Sequence, residues 1–347
     1  MYCKESNLKM AAVRSSNIEA LRVVCILSVV AFHYFCFADP TWQFDQNLCL
    51  PRGWIEVACG IWGKVAINCF VIISSWFLCT KQLQMTRWIK LFLPIVSYKL
   101  LIDLVCILCG IEWSMGFQFF DFSGKYFVGS FMAFMLLIPA LRLALTELPR
   151  QIHALIVVIV FLYSVGVTLR IFGDSYSCNY VCWFTCLFVI TSWFRYYPAR
   201  WQNNRSLCLI CAIILYLVGI VSVIVMICLE PFIGHHSPLW FLCDANKLLA
   251  ALLGFSLFFL FLNLPIGSCR WINTLASTTF GVLLIHAGVL AKPIWITLLH
   301  VDRHSTPIGA ILSILFVYLT CVAVEMFRQR LVDRPIIKWL EHNGIVK

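Results

Sequence analysis

The chain has 347 residues, of which 62% are hydrophobic and only 12% charged. No single globular core absorbs that much apolar surface, so a soluble enzyme, a disordered chain, a collagen, a coiled coil and a secreted disulfide-rich domain are excluded. The net charge of +10 is carried by short loops between apolar runs, where it sets membrane topology and gives no sign of nucleic acid as a partner.

Ten apolar stretches come close to the ~20 residues that span a bilayer. They lie roughly at 20–38, 57–79, 91–111, 126–146, 152–172, 180–194, 206–229, 239–264, 275–292 and 307–327. The pattern predicts an all-α polytopic membrane protein with about ten transmembrane helices. The first stretch carries Arg22 and His33 and has no small-x-small site after it, so it is expected to be a span and not a cleavable signal peptide. With the N-terminus inside, the inner segments hold 17 basic residues: Lys4, Lys9, Arg14, Lys81, Arg87, Lys90, Arg142, Arg150, Arg195, Arg200, Arg205, Arg270, Arg328, Arg330, Arg334, Lys338 and Lys347. The outer segments hold five: Arg52, Lys125, Arg170, Lys292 and Arg303. That asymmetry places both termini in the cytoplasm. The expected organisation is a cytoplasmic segment 1–19, a transmembrane domain 20–327 and a basic tail 328–347 lying along the inner interface as an amphipathic helix.

Most of the 18 cysteines lie inside apolar stretches, where they serve as small apolar residues. Cys106-x-x-Cys109 and Cys208-x-x-Cys211 have no second pair at zinc spacing, so no metal site is expected. Cys49 and Cys178 fall in loops on the outer side and could form a disulfide. Trp42, Trp54, Trp113, Trp240 and Trp295 fit either an interfacial belt or sugar stacking. His235-His236 fits either a solvated loop or a pH-sensitive pair.

Ionisable residues at membrane depth are costly and mark function by default. Here they are Arg22, His33, Lys64, Lys99, Asp103, Asp244, Lys247 and His286. Lys99 and Asp103 are four apart, and Asp244 and Lys247 three apart, so each pair can neutralise itself on one helix face. Lys64 has no such neighbour and needs a distant partner, a water cavity or an anionic ligand. Arg22 and His33 are eleven residues apart, which at 100° per residue puts them within about 20° of one face, with a rise of about 16 Å between them. A guanidinium at the inner mouth can hold phosphates bidentately, and an imidazole deeper in can move a proton. A snorkelling arginine above a core histidine is the other reading of the same spacing.

The segment Asn17-Ile-Glu-Ala-Leu-Arg-Val-Val-Cys-Ile-Leu-Ser-Val-Val-Ala-Phe-His33 resembles the opening of the bacterial acyltransferase 3 family: an arginine, ten residues, then a histidine, after an acidic residue. Glu19 stands at the acidic position and Ala20 replaces a glycine. The stretch Gly63–Leu78 resembles the family's Phe-x-x-Ile-Ser-Gly-Tyr segment, with Ser75 and Trp76 in place of the glycine and tyrosine. Asn273–His286 resembles its Phe-Gly-x-Tyr-Leu-x-His stretch, with Leu283 in place of the tyrosine.

The resemblance implies a standalone multipass O-acyltransferase of the inner (plasma) membrane. It would move an acyl group, acetyl in most members, from cytoplasmic acyl-CoA to a hydroxyl of an exopolysaccharide, capsule or lipopolysaccharide sugar, free or lipid-linked. Acyl-CoA (acetyl-CoA) is then a co-substrate, and no tightly bound cofactor is expected. Arg22 and His33 are the matching functional pair, with His286 beside them. Arg22, oriented by Glu19 and helped by Arg87 and Lys90, would bind the donor phosphates. His33 would act as general base or as an acyl relay, and Lys64, Asn68 and Ser74 are candidates to stabilise the oxyanion or hold substrate. A transporter or flippase of a lipid-linked glycan also suits buried charges, although no repeated halves with broken helices are seen.

Overall fold

The computed structural model describes residues 16–37, 51–82, 84–109, 120–169, 171, 178–233, 237–287 and 306–344. Lys4, Lys9, Arg14, Trp42, Cys49, Trp113, Arg170, His235, His236, Lys292, Trp295, Arg303 and Lys347 lie outside these residues, and with them the Cys49–Cys178 pairing.

The described residues form helices and turns, with no strand among them. The helices are α1 (Asn17–Phe37), α2 (Pro51–Ile55), α3 (Gly63–Leu78), α4 (Met85–Cys109), α5 (Phe127–Glu147), α6 (Arg150–Thr168), α7 (Tyr180–Tyr196), α8 (Arg205–Ile233), α9 (Leu248–Leu262), α10 (Arg270–His286), α11 (Pro307–Arg328) and α12 (Arg334–His342). A π-helical turn at Glu56–Gly60 continues α2, and a second at Gln329–Asp333 links α11 to α12. Among the described residues, seven runs are long and apolar enough to cross a membrane: Asn17–Phe35, Gly53–Leu78, Met85–Leu108, Phe127–Glu147, Arg150–Thr168, Arg205–Leu229 and Pro307–His342. The other expected spans fall on shorter helices, of 17 residues in α7 and α10 and 15 in α9.

Local chemistry starts these helices where it does. Asn179 caps α7 by accepting from the Cys182 amide at 3.1 Å. Thr306 caps α11 by accepting from the Gly309 amide, with Pro307 in the first turn. Glu19 places negative charge in the first turn of α1, where the helix dipole favours it.

The eighth expected span, 239–264, is corrected. Helix begins only at Leu248, and residues before it run as turns. Such backbone is tolerated in a bundle when other groups satisfy it. Here Ser164 donates to Asn246 C=O at 2.7 Å, Asn68 donates to Ala245 C=O at 2.8 Å, and the Leu248 amide donates to the Thr168 hydroxyl at 2.8 Å.

α1 and α3 form the centre. Two thirds of the span through α3 is buried (67%), against 22% for the span in α8. α1 packs on α3, α9, α10 and α11, and α3 packs on α1, α7 and α9. Gly63 permits the close approach of α1 and α3, since a Cβ there would collide with the Phe32 ring. α1 and α10 run parallel: Ser16 donates to Asn273 Oδ1 at 2.9 Å at one end, and His33 meets His286 at the other. α3 and α7 also run parallel, joined by Lys64–Tyr180 at their starts and by Tyr196 donating to Cys79 C=O at their ends.

Candidate active site

Helical periodicity brings Arg22 and His33 to one side of α1, and tertiary packing opens space against each. Arg22 lines a cavity of about 260 Å³ together with Ser74, Ser277 and Thr279. His33 lines a second cavity of about 260 Å³ with Lys64, Lys125, Tyr126 and Tyr180. Phe70, Phe127 and Leu283 line both, so the two cavities adjoin along α1.

α10 supplies the second imidazole. The His286 ring lies 5.0 Å from the His33 ring, centroid to centroid, tilted by 43°. His286 Nδ1 is 2.5 Å from the Val282 carbonyl. A carbonyl only accepts, so Nδ1 carries the proton and Nε2 keeps its lone pair. Nε2 is buried and has no hydrogen-bond partner among the described residues.

At the other end, Arg22 Nη1 donates to both Glu19 oxygens, at 3.1 and 3.3 Å. The Glu19 side chain is buried, while the Arg22 side chain as a whole keeps 28% of its surface exposed. The acid therefore fixes the guanidinium through Nη1 at the edge of the cavity that Arg22 lines.

Lys64 finds distant partners. Its Nζ donates to the Tyr180 hydroxyl at 2.8 Å and lies 3.8 Å from Asp244. The Tyr180 oxygen accepts from Lys64, so its own hydrogen is available to donate elsewhere. Lys99 and Asp103 pair as their spacing predicts, at 2.5 Å. Asp244 and Lys247 do not pair: Lys247 donates instead to Val167 C=O at 2.9 Å. The i,i+3 geometry requires a helix, and these two residues precede α9. Cys178 stands close to this cluster, but burial and the Asp244 charge push its thiol up to about 12, which removes it as a nucleophile at neutral pH.

The other expected residues divide. Asn68 is fully buried away from both cavities, donating to Ala245 C=O and accepting from Trp183 Nε1 at 2.9 Å. Ser74 lines the Arg22 cavity, with its hydroxyl donated to Phe70 C=O at 2.9 Å. Lys90 lines a further cavity, described below, and Arg87 is exposed and lines neither the Arg22 nor the His33 cavity.

The sequence profile of the acyltransferase 3 family, described as an acyltransferase domain, matches residues 15–326. The chain belongs to the acyltransferase 3 family. It is a membrane acyltransferase built of several apolar spans. No curated protein and no solved structure matches it. Two parts of this acyltransferase 3 chain escaped sequence reasoning. Tyr180 opens α7 as an ordinary boundary tyrosine, and only the isolation of Lys64 signalled that some such partner was needed. The second is a buried network at the end of α11. There Arg328 donates to Glu325 at 2.8 Å through Nε and Nη2, and the Tyr98 hydroxyl donates to Glu325 at 2.6 Å. The signal was the i,i+3 spacing of Glu325 and Arg328 across the end of an apolar stretch.

Proposed function

We propose that this protein is an O-acyltransferase that takes an acetyl group from acyl-CoA on the cytoplasmic side of the inner (plasma) membrane. The acceptor is a hydroxyl of a surface glycan, an exopolysaccharide, capsule or lipopolysaccharide sugar or its lipid-linked precursor. The observation that carries the reading is the adjoining pair of cavities, with Arg22 lining one and His33 lining the other, and with the buried His286 ring packed against His33.

Arg22, held by Glu19, binds donor phosphate, and the acyl arm runs past Phe70, Phe127 and Leu283 to bring the thioester to His33. The acceptor hydroxyl gives its proton to an imidazole of the pair. Its oxygen then bonds to the thioester carbon, and the carbonyl oxygen becomes an oxyanion. Lys64 and Tyr180 line the same cavity and carry hydrogens that can meet that charge. Asn68 lines neither cavity, and the Ser74 hydroxyl is donated to a carbonyl, so this step is assigned to neither. Collapse of the intermediate breaks the C–S bond. The imidazolium returns the proton to the thiolate, so the products are the ester and free CoA thiol.

Purified protein in lipid vesicles, given acetyl-CoA labelled in the acetyl group and glycan from the host surface, should move label to glycan and release CoA thiol in equal amount. Unconsumed acetyl-CoA alongside movement of a lipid-linked glycan across the vesicle would replace this reading with transport.

A further inference from the structure

The line of cavities does not end at Arg22. A third cavity, of about 480 Å³, lies among α4, α10, α11 and α12 and shares Ser277 and Phe280 with the Arg22 cavity. Its charged lining is Lys90, Arg328, Arg334 and Lys338 against Glu325 and Asp333, a net of +2. Arg328 engages both carboxylates, donating to Glu325 at 2.8 Å and to Asp333 at 2.7 and 2.9 Å. Gln329 also donates to Glu325, at 2.8 Å. Lys90, Arg334 and Lys338 have no ion pair and no side-chain hydrogen bond among the described residues. Arg334 and Lys338 are four apart and share one face of α12, and Lys90 faces the same cavity from α4. These three cations are solvent-exposed, and together around one cavity they make a positive potential that favours an anion between them.

We propose that this cavity binds the phosphate groups at the nucleotide end of the acyl-CoA donor, an assignment that rests on the function proposed above. With the thioester at His33, Arg22 lies about 16 Å back along α1, and the third cavity is the next space beyond it. A phosphate monoester carries about −1.5 to −2 charge at neutral pH, and the adenosine 3′-phosphate of CoA is such a group. It sits between Arg334 and Lys338, with Lys90 toward the diphosphate. The Glu325–Arg328–Asp333 network holds the π-helical turn Gln329–Asp333 that aims α12 at the cavity. Arg334 and Lys338 lie beyond residue 326, where the family match ends, so this chain's own C-terminal helix completes the donor site.

The headgroup of an anionic lipid offers the same phosphate chemistry, and the test separates the two. The full chain in phosphatidylcholine nanodiscs is titrated calorimetrically with acetyl-CoA and with 3′-dephospho-acetyl-CoA. Loss of one charge-assisted contact is worth about tenfold, so the wild-type protein should bind acetyl-CoA about tenfold more tightly than the dephospho form. The Arg334→Ala/Lys338→Ala variant should lose at least that factor for acetyl-CoA and nothing for the dephospho form, while Lys338→Arg stays near wild type. Equal weakening for both ligands would overturn the assignment. So would wild-type acetyl-CoA affinity in the double variant, together with lost stabilisation by added phosphatidylglycerol; that result assigns the cations to lipid. Wild-type protein that binds neither ligand would overturn the proposed function as well, whereas tight wild-type binding left unchanged in the variant overturns this inference alone.

Discussion

Removing His33 and His286 singly and together tests whether the two imidazoles work as one unit. Their ring centroids are 5.0 Å apart, and His286 is oriented by its Val282 bond with Nε2 left open. A positioned general base contributes about 10²–10⁴-fold, so His33→Ala should lower kcat about 10³-fold, or about 4 kcal/mol of barrier. If His286 acts only through the same proton, His286→Ala should cost about 10²–10³-fold. Groups acting as a unit are strongly non-additive, so the double variant should fall no further than His33→Ala alone, whereas independent groups would multiply to about 10⁵–10⁶. The assay is transfer of labelled acetyl from acetyl-CoA to glycan in reconstituted vesicles, normalised to folded protein by size-exclusion chromatography in detergent. Glutamine variants at both positions keep most of the side-chain volume and control for collapse of the cavity. Losses that multiply in the double variant, or a His33→Ala protein within threefold of wild type, would refute the reasoning.

Arg22→Lys keeps the charge beside Glu19 but loses the planar fork; KM for acetyl-CoA should rise about tenfold with kcat little changed, and an unchanged KM would remove Arg22 from phosphate binding. Tyr180→Phe deletes one hydroxyl while Lys64 keeps Asp244 at 3.8 Å. Loss of one oxyanion donor costs about 10²-fold or more in kcat, and steady-state kinetics showing kcat within twofold would assign Tyr180 to holding Lys64 only. Asn68→Ala leaves Trp183 Nε1 and the Ala245 carbonyl without their partner. Each orphaned buried group costs about 1–3 kcal/mol, so the melting temperature should drop clearly while kcat per folded molecule stays near wild type; a large kcat loss in stably folded protein would return Asn68 to the chemistry.

The geometry along α1 could be inferred before any coordinates, because it is local. Eleven residues of α-helix bring Arg22 and His33 to one face whatever surrounds them, and Glu19 is one turn from Arg22, within reach of the 3.1 Å contact that forms. The same reasoning succeeded for Lys99 with Asp103, where the helix is continuous. It failed for Asp244 with Lys247, because nothing in their spacing says that helix starts only at Leu248. Asn68 illustrates a second kind of failure. A polar residue in an apolar span can face a cavity or tie neighbouring segments together, and only the positions of Ala245 and Trp183 decide that it ties.

Composition and hydropathy alone pointed to a helical membrane protein, because apolar surface must leave water and backbone polar groups must be satisfied within helices. The periodicity of one helix likewise settled which face carries the guanidinium and the imidazole. Which groups from distant parts of the chain meet that face was decided by packing. His286 reaches His33 because α10 runs parallel to α1, Lys64 reaches Tyr180 because α3 and α7 start side by side, and Arg334 and Lys338 turn toward Lys90 because Arg328 ties down the turn before them. Such contacts depend on helix-to-helix distances and orientations, which no spacing within a single helix encodes.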